Sequence, residues 1–274
     1  MDFSSRLKLN NGAAIPVLGL GTYQIGDETE TYNAVRYAID IGYRHIDTAA
    51  AYNNEIGIGK AVKDSGVNRE DMFITTKLWN EDQRQGNQYK AFEESLARLG
   101  ADYVDLYLIH WPVREKIAES WKILEKIYAE GRAKAVGVCN FHSYHLEEIF
   151  AASGLVPALN QVECHPWLTQ AGLAGYCKEK NILFEPWSPF GVGALLGDAA
   201  LTAIARKYNK TPAQLILRWG LQRGFANIPK SGNKERILQN TQIFDFTVTD
   251  DDMAAIFDMD AGKRFGAHPD TFTF

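Results

Sequence analysis

The chain alternates short apolar runs, rich in β-branched residues, with longer stretches whose apolar positions follow helical periodicity. Eight such runs recur along the sequence, roughly 30 residues apart. Most of them are too continuously apolar for strands with one wet face, as expected for parallel strands buried on both faces. The runs cover residues 17–21, 44–47, 73–77, 104–110, 133–138, 159–163, 182–186 and 225–229. This alternation predicts an α/β fold built on a parallel sheet.

Helical patterns fill the intervals between the runs. They cover residues 29–41, 55–65, 88–99, 117–130, 145–153, 172–180, 198–208, 212–223, 234–240 and 250–257. Eight βα units in about 250 residues predict a single (β/α)8 TIM barrel with extra C-terminal helices. Residues 6–17 alternate around Asn11-Gly12, which predicts an N-terminal β-hairpin. The absence of a linker-like segment favours one domain over residues 1–274, and a doubly wound sheet is the alternative fold.

Charge and cysteine content narrow the class of protein. The 29 Lys and Arg against 34 Asp and Glu give a net charge of −5, which disfavours a nucleic-acid partner. Cys139, Cys164 and Cys177 are scattered, so a disulfide framework is disfavoured and a reducing cytoplasm is expected. The sequence has no run of about 18 consecutive apolar residues, so no membrane span is predicted. Its N-terminus lacks the pattern of a secretion signal.

Ionisable side chains stand where three neighbouring runs end. Asp47 ends the second run, Lys77 the third and His110 the fourth, and Tyr52 follows the second run closely. Taken singly, the aspartate could cap a helix, the tyrosine could be a packed aromatic and the histidine could belong to the core. Lysine at the end of an apolar strand is rarely buried unpaired. Because the carboxyl ends of barrel strands meet at one mouth, the four residues predict a coupled site.

Pairing these groups predicts a definite chemistry. An ion pair between Lys77 and Asp47 would place an ammonium near Tyr52, which is expected to lower the pKa of the phenol and make it a general acid. His110 can donate a hydrogen bond to a carbonyl oxygen. This set protonates an oxygen but supplies no electrons, so a bound hydride donor is implied.

The segment after the eighth run, IPKSGNKERILQN (228–240), has features of a phosphate site. Lys230 and Arg236 supply cations, and Ser231 and Gly232 supply hydroxyl and backbone donors ahead of a short helix. Barrels of this class hold phosphates after their seventh and eighth strands. An ordinary strand-to-helix loop is the alternative interpretation.

Three blocks of sequence resemble the aldo-keto reductase family, and the likeness extends over essentially the whole chain. They are GYRHIDTAAAYNNEIGIG (42–59), AVGVCNF (135–141) and IPKSGNKERILQN (228–240). The compact loops and the ending GAHPDTF are similar to those of the short bacterial and plant-type members, including diketogluconate reductases. The resemblance implies a monomeric, NADPH-dependent carbonyl reductase on a TIM barrel. Asp47, Tyr52, Lys77 and His110 match the catalytic tetrad of the family. The resemblance implies that Tyr52 donates the proton and that His110 orients the carbonyl.

The resemblance further implies which residues bind the cofactor and the substrate. Cofactor-binding positions are matched by Gly21, Thr22, Asp47, Cys139, Asn140, Gln161, Trp187, Ser188, Phe190, Ala213, Lys230, Ser231, Gly232, Asn233, Arg236, Gln239 and Asn240. Cys139 replaces a common serine and Gln239 a common glutamate. The substrate wall is matched by Tyr23, Trp79, His110 and Trp111. Phe272 and Phe274 either fold over the mouth or stay disordered.

Other functions have weaker support in the sequence. Glu163 and Glu185 end the sixth and seventh runs, and paired carboxylates hydrolyse glycosides. A cofactor-binding protein without turnover is a second alternative, because fold does not fix function. His142 and His145 are expected to cap a helix rather than bind a metal, since no carboxylate is near in sequence. The natural carbonyl compound is not determined by these patterns.

Overall fold

The computed structural model describes residues 1–274 and begins with the expected hairpin. Strand β1 (Arg6–Lys8) pairs antiparallel with β2 (Ala14–Pro16). Gly12 lies in the turn at φ +90°, a conformation that glycine adopts without strain. Ile15 packs with Phe73 and Leu106 in a small buried cluster. Since those two residues begin their strands, the hairpin covers the amino-terminal end of the barrel.

Seven parallel strands follow one another around the sheet in chain order. They are β3 (Leu20–Gly21), β4 (His45–Asp47), β5 (Phe73–Leu78), β6 (Leu106–Ile109), β7 (Val136–Cys139), β8 (Leu159–Glu163) and β9 (Leu183–Trp187). The eighth predicted run pairs with the first through single parallel bridges, Leu18 with Asn227 and Gly21 with Lys230. The last run therefore lies beside the first, which confirms the (β/α)8 barrel and excludes an open doubly wound sheet.

Gly21 explains how the barrel closes at this seam. A Cβ atom at this position would lie 2.7 Å from the carbonyl oxygen of Ile228. The two backbones approach too closely for any side chain larger than hydrogen. A glycine here is thus required by closure, whatever its contact with a ligand.

Eleven helices cover the outside of the sheet or follow its last strand. They are α1 (Glu28–Asp40), α2 (Glu55–Asp64), α3 (Asn80–Gln85), α4 (Gln88–Leu99), α5 (Ile117–Ala129), α6 (Ser143–Ala152), α7 (Ala171–Glu179), α8 (Ala199–Lys207), α9 (Pro212–Gln222), α10 (Lys234–Gln239) and α11 (Asp250–Phe257). Ten match the predicted helical stretches to within one or two residues. The short helix α3 was not predicted, because NEDQRQ has no apolar periodicity.

The main core lies between the strands and the helices. A cluster of 50 buried residues runs from Val17 to Ile256, with Trp121, Trp219 and Tyr107 among its largest members. Burial of such apolar surface is the principal stabilising contribution to a fold of this size. None of the helices is both long and apolar enough to cross a membrane.

Candidate active site at the barrel mouth

The structure brings the four predicted catalytic residues to one mouth. Asp47 is the last residue of β4, Lys77 lies near the end of β5, and His110 directly follows β6. Tyr52 lies on a single 3-10 turn, Ala50–Tyr52, after β4. This turn was not predicted, but it turns the tyrosine hydroxyl towards the lysine.

Lys77 is the centre of the polar network. Its side chain is fully buried, and Nζ donates to Oδ1 of Asp47 at 2.6 Å and to the carbonyl of Thr48 at 2.8 Å. Nζ also lies 3.5 Å from the hydroxyl of Tyr52. Burial lowers the pKa of Lys77, but the charge and hydrogen bond of Asp47, together with Tyr52 and Cys139, outweigh burial, so the pKa of Lys77 lies above its usual value. The predicted ion pair is confirmed, and the amine is a permanent ammonium at neutral pH.

The predicted direction of the Tyr52 pKa shift was wrong. Burial raises the pKa of Tyr52 above its usual value, and the Lys77 ammonium lowers it by less. The negative charge of Asp47 also raises it, so Asp47 opposes the effect of its partner ammonium on the phenol. The sequence showed the cation but could not show how much water the fold removes. Tyr52 consequently holds its proton firmly in the free protein.

His110 is buried and uncharged. Burial first, and then the nearby Lys77 ammonium, hold the pKa of His110 well below its usual value. Its ring lies 5.6 Å from that of Tyr52 and 5.2 Å from that of Trp79, measured between centroids, and Nδ1 has no hydrogen-bond partner in the protein. A neutral imidazole carries one N–H, which is the group needed to bind a carbonyl oxygen.

Gln161 connects the ion pair to a second carboxyl group. Its Nε2 donates to Oδ2 of Asp47 at 2.8 Å and to Oε2 of Glu185, also at 2.8 Å. Gln161 and Glu185 are direct partners in the β8–β9 register, so their side chains project from neighbouring strands at one level. Burial, followed by the charge of Asp47, raises the pKa of Glu185 to about 8. The sequence analysis treated Glu185 only as a candidate glycosidase carboxylate.

Asn140 orients the indole ring of Trp187, which is predicted to stack on the nicotinamide. The indole Nε1 of Trp187 donates to Oδ1 of Asn140 at 2.8 Å, and Nδ2 of Asn140 donates to the carbonyl of His110 at 3.0 Å. Cys139 lies behind them, with its sulfur 3.6 Å from Oε1 of Gln161. A tyrosine ring in place of the indole would have no N–H at this point. Trp187 is thus locked by a contact that the sequence did not reveal.

Aromatic rings and the chain terminus form one side of the mouth. The ring of Trp79 stacks on that of Phe274 at 5.9 Å, and the ring of Trp111 lies 5.1 Å from that of Phe272. Tyr23 is exposed, with its ring 4.9 Å from that of Tyr52. Of the two predicted alternatives for the C-terminal tail (residues 266–274), the structure shows the one in which it folds over the mouth.

Glu163 holds the start of this tail. Its buried carboxylate accepts from the backbone N–H of Phe265 at 2.6 Å and of Gly266 at 3.0 Å, and Arg264 lies 3.3 Å away. Burial would raise the pKa of Glu163, but these donors and His165 lower it below its usual range. A carboxylate bound by so many donors is a structural anchor.

Asp270 fastens the tail further along. It accepts from the hydroxyl of Tyr144 and lies 2.9 Å from Nδ1 of His142. His142 and His145 cap α6, as predicted, and the backbone N–H of His142 donates to Nδ1 of His145 at 3.1 Å. The fold thus brings the carboxylate of Asp270, which is distant in sequence, beside His142 and His145. Since Nδ1 of His145 already accepts a hydrogen bond, its Nε2 carries the proton and is not free to ligate a metal.

The predicted phosphate residues border an open cleft of about 410 Å³. Arg236, Asn233 and Gly232 line it together with Ile25, Glu30 and Asn33 of the β3–α1 connection and α1. The side chain of Asn233 accepts from the backbone N–H of Arg236 at 3.0 Å and so caps α10. The hydroxyl of Ser231 accepts from the backbone N–H of Asn233 at 3.1 Å. These two side chains shape the loop, and the guanidinium of Arg236 is exposed beside the cleft.

The remaining predicted cofactor residues are distributed over several elements. Thr22 directly follows β3 and is buried, and its hydroxyl donates to the carbonyl of Asp47 at 2.9 Å. Ser188 directly follows β9 at φ +48°. Ala213 lies in the first turn of α9, and neighbouring Gln214 donates to the carbonyl of Gln239 at 3.1 Å, which joins α9 to α10. The other members of this group are Phe190, Lys230 and Asn240, of which Asn240 is buried.

Comparison with known proteins agrees with this geometry. The profile of the Aldo/keto reductase family matches residues 17–261. The chain belongs to the aldo/keto reductase family. It is 48% identical over 268 residues to the glyoxal reductase of Bacillus subtilis (98% of this chain, 97% of that protein). It is 43% identical over 270 residues to the methylglyoxal reductase DkgA of Escherichia coli (97% of each chain).

The resemblance also holds in three dimensions. A crystal structure of an aldo-keto reductase complexed with NADPH superposes with a TM-score of 0.91 at 38% identity, covering 97% of this chain and 91% of that one. The family assignment from three sequence blocks is therefore confirmed.

The reductase fold removes the glycosidase interpretation. Glu163 is bound by the tail, and Glu185 lies under Gln161 with no exposed surface. Paired hydrolytic carboxylates must flank a sugar in an open cleft. A polar residue in the middle of each of two buried strands, Gln161 in β8 and Glu185 in β9, was the signal from which the buried bridge could have been found.

Proposed function

We propose that this aldo-keto reductase reduces small aldehydes and ketones to alcohols, with Tyr52 as the proton donor. One observation carries the proposal: the hydroxyl of Tyr52 lies 3.5 Å from Nζ of the buried Lys77, and its ring lies 5.6 Å from the ring of His110. Tyr52 supplies the proton to the carbonyl oxygen, and His110 donates a hydrogen bond that orients and polarises it. The Lys77 ammonium stabilises the developing phenolate, and Asp47 holds that ammonium in place.

NADPH is the cofactor, and when bound it supplies the hydride to the carbonyl carbon. The residues of the chain fit such a ligand. The amide oxygen of Gln161 has the Cys139 thiol as its only hydrogen-bond partner, which leaves it able to accept from an N–H of the nicotinamide carboxamide. The indole of Trp187 is fixed by its hydrogen bond to Asn140, and its ring face can stack on the nicotinamide. Arg236 stands beside the 410 Å³ cleft, where a fork of N–H donors suits a 2′-phosphate.

The substrate pocket favours a compact carbonyl compound. Trp79, Trp111, Phe272 and Phe274 pack against one another beside His110, so the wall is aromatic. An aromatic wall binds short apolar bodies and leaves the polar carbonyl to Tyr52 and His110. The names of the two bacterial relatives, glyoxal reductase and methylglyoxal reductase, support short dicarbonyl compounds as the first substrates to assay.

Tyr52→Phe tests the proposed role directly. The ring and its packing remain, and only the proton donor is lost, so NADPH binding is expected to be unchanged while kcat falls by about 100-fold or more. Tyr107→Phe is the matched control, because the Tyr107 hydroxyl is buried in the core without a partner. Binding is followed by tryptophan fluorescence and turnover by NADPH absorbance. Wild-type turnover in Tyr52→Phe would contradict the role, and tight NADPH binding without any turnover of the wild type would favour a cofactor-binding protein.

We also propose that the reductase works as a monomer in the cytoplasm. Every residue assigned to the site comes from one chain, and Cys139, Cys164 and Cys177 are all buried and free. Free thiols are typical of proteins kept in a reducing compartment. Light scattering after size exclusion is expected to give one species with the mass of a single chain, with or without NADPH. A stable dimer would contradict the first half of this proposal.

A further inference from the structure

Glu185 is a buried acid that the proposed reaction does not use. It has no exposed surface, and Oε2 accepts from Nε2 of Gln161 at 2.8 Å. Oε1 has no hydrogen-bond partner in the protein. A buried carboxyl group without a cation of its own is costly, so its presence beside the active site requires an explanation.

The charges around Glu185 explain its protonation state. Lys77 is the cation whose charge acts on Glu185, and Asp47 already neutralises it at 2.6 Å. The thiol of Cys139 on β7 is also buried, and burial raises its pKa. The β8 side chain facing Glu185 is the neutral Gln161. An ionised Glu185 would leave one uncompensated negative charge inside the barrel, so the neutral acid prevails at neutral pH.

The hydrogen bonds of Gln161 decide how its amide is turned. Asp47 and Glu185 both present acceptor oxygens, and the two N–H bonds of Nε2 satisfy both. With the proton of the neutral Glu185 on its unpartnered Oε1, Oε2 is an acceptor only. Flipping the amide, so that its oxygen and nitrogen change places, would then set the oxygen against two acceptors and lose both hydrogen bonds. Oε1 is consequently the end of the amide that remains for a ligand, with only the Cys139 thiol at 3.6 Å.

We propose that Glu185 is a positioning residue that fixes the amide of Gln161 with Oε1 presented to the nicotinamide carboxamide. This inference rests on the proposed function, which assigns Gln161 to the cofactor. Asp47 alone fixes one N–H of Nε2 and must also serve Lys77, whereas Glu185 is held by the β8–β9 register and has no other partner. The device selects ligands that donate a hydrogen bond at that point over ligands that do not.

The test compares NADP⁺ with its 3-acetylpyridine analogue, which lacks the carboxamide N–H. Equilibrium dissociation constants are measured by quenching of tryptophan fluorescence, so no turnover is needed. The wild type is expected to bind NADP⁺ about tenfold more tightly than the analogue, the value of one hydrogen bond to a buried acceptor. Glu185→Gln keeps a carbonyl acceptor opposite Nε2 and should preserve this ratio. Glu185→Leu removes the acceptor, and the ratio should fall to within about twofold of one.

Two further variants separate the outcomes. Gln161→Ala should weaken NADP⁺ binding and bring the ratio of the two dissociation constants close to one. An unchanged ratio would show that Gln161 does not contact the carboxamide. That result would overturn both the cofactor assignment and this inference. A ratio that is lost in Gln161→Ala but retained in Glu185→Leu would overturn the inference alone. Glu163→Gln neutralises another buried carboxylate that does not touch Gln161, and it should leave the ratio unchanged. Glu185→Ala, which needs less space, replaces Glu185→Leu if thermal melting shows that the leucine variant is unfolded.

Discussion

Removing the cation of the buried ion pair tests the electrostatic account of the mouth. Lys77→Met keeps the length and apolar stem of the side chain but leaves the carboxylate of Asp47, with a side chain only 4% exposed, without its partner at 2.6 Å. The Coulomb attraction at this separation is about 6 kcal/mol at an effective dielectric constant near 20. Gln161 still donates to Oδ2, which compensates in part. The variant should lose about 3–5 kcal/mol of unfolding free energy, the usual cost of breaking a buried pair.

The double variant Asp47→Asn/Lys77→Met provides the decisive comparison. It removes both charges and keeps similar volumes, so it should recover to within about 2 kcal/mol of the wild type, although it should have no activity. Urea unfolding followed by the fluorescence of the six tryptophans measures all the free energies. A Lys77→Met variant that loses less than about 1 kcal/mol, or a double variant that is no more stable than the single one, would refute the buried-pair reasoning.

Two further predictions concern the cofactor cleft and the buried acid. Arg236→Ala should weaken NADPH binding by about tenfold with little effect on NADH, because only NADPH carries the 2′-phosphate; Lys234→Ala, on the same helix but outside the cleft, is the control. An equal loss for both cofactors would contradict the assignment. The contribution of Glu185 to stability should also fall as pH rises from about 5 to 8, because the unfolded chain releases its proton near 4.5 whereas the folded protein retains it to about 8. Relative to Glu185→Gln, the wild type should lose at most about 1.4 kcal/mol of stability per pH unit over this range. Thermal melts that show the same slope in both proteins would exclude Glu185 as its source.

Local patterns in the sequence predicted most of the architecture. The helical and strand periodicities recur along the chain, so ten helices and seven strands lay close to where the patterns put them. The ends of those strands also identified Asp47, Lys77 and His110, because parallel strands in a barrel share one carboxyl end. Helix α3 was not predicted, because its short polar sequence has no apolar face.

The properties that depend on burial were decided only by the tertiary structure. The pKa of Tyr52 moves upward rather than downward, because the loss of hydration around the hydroxyl disfavours the phenolate more than the Lys77 ammonium favours it. Asp270 meets His142 although the two residues are far apart in the sequence. The bridge from Asp47 through Gln161 to Glu185 likewise joins three strands. Periodicity along a chain records which face of an element is apolar, but desolvation and hydrogen bonding depend on neighbours that only the closed barrel brings together.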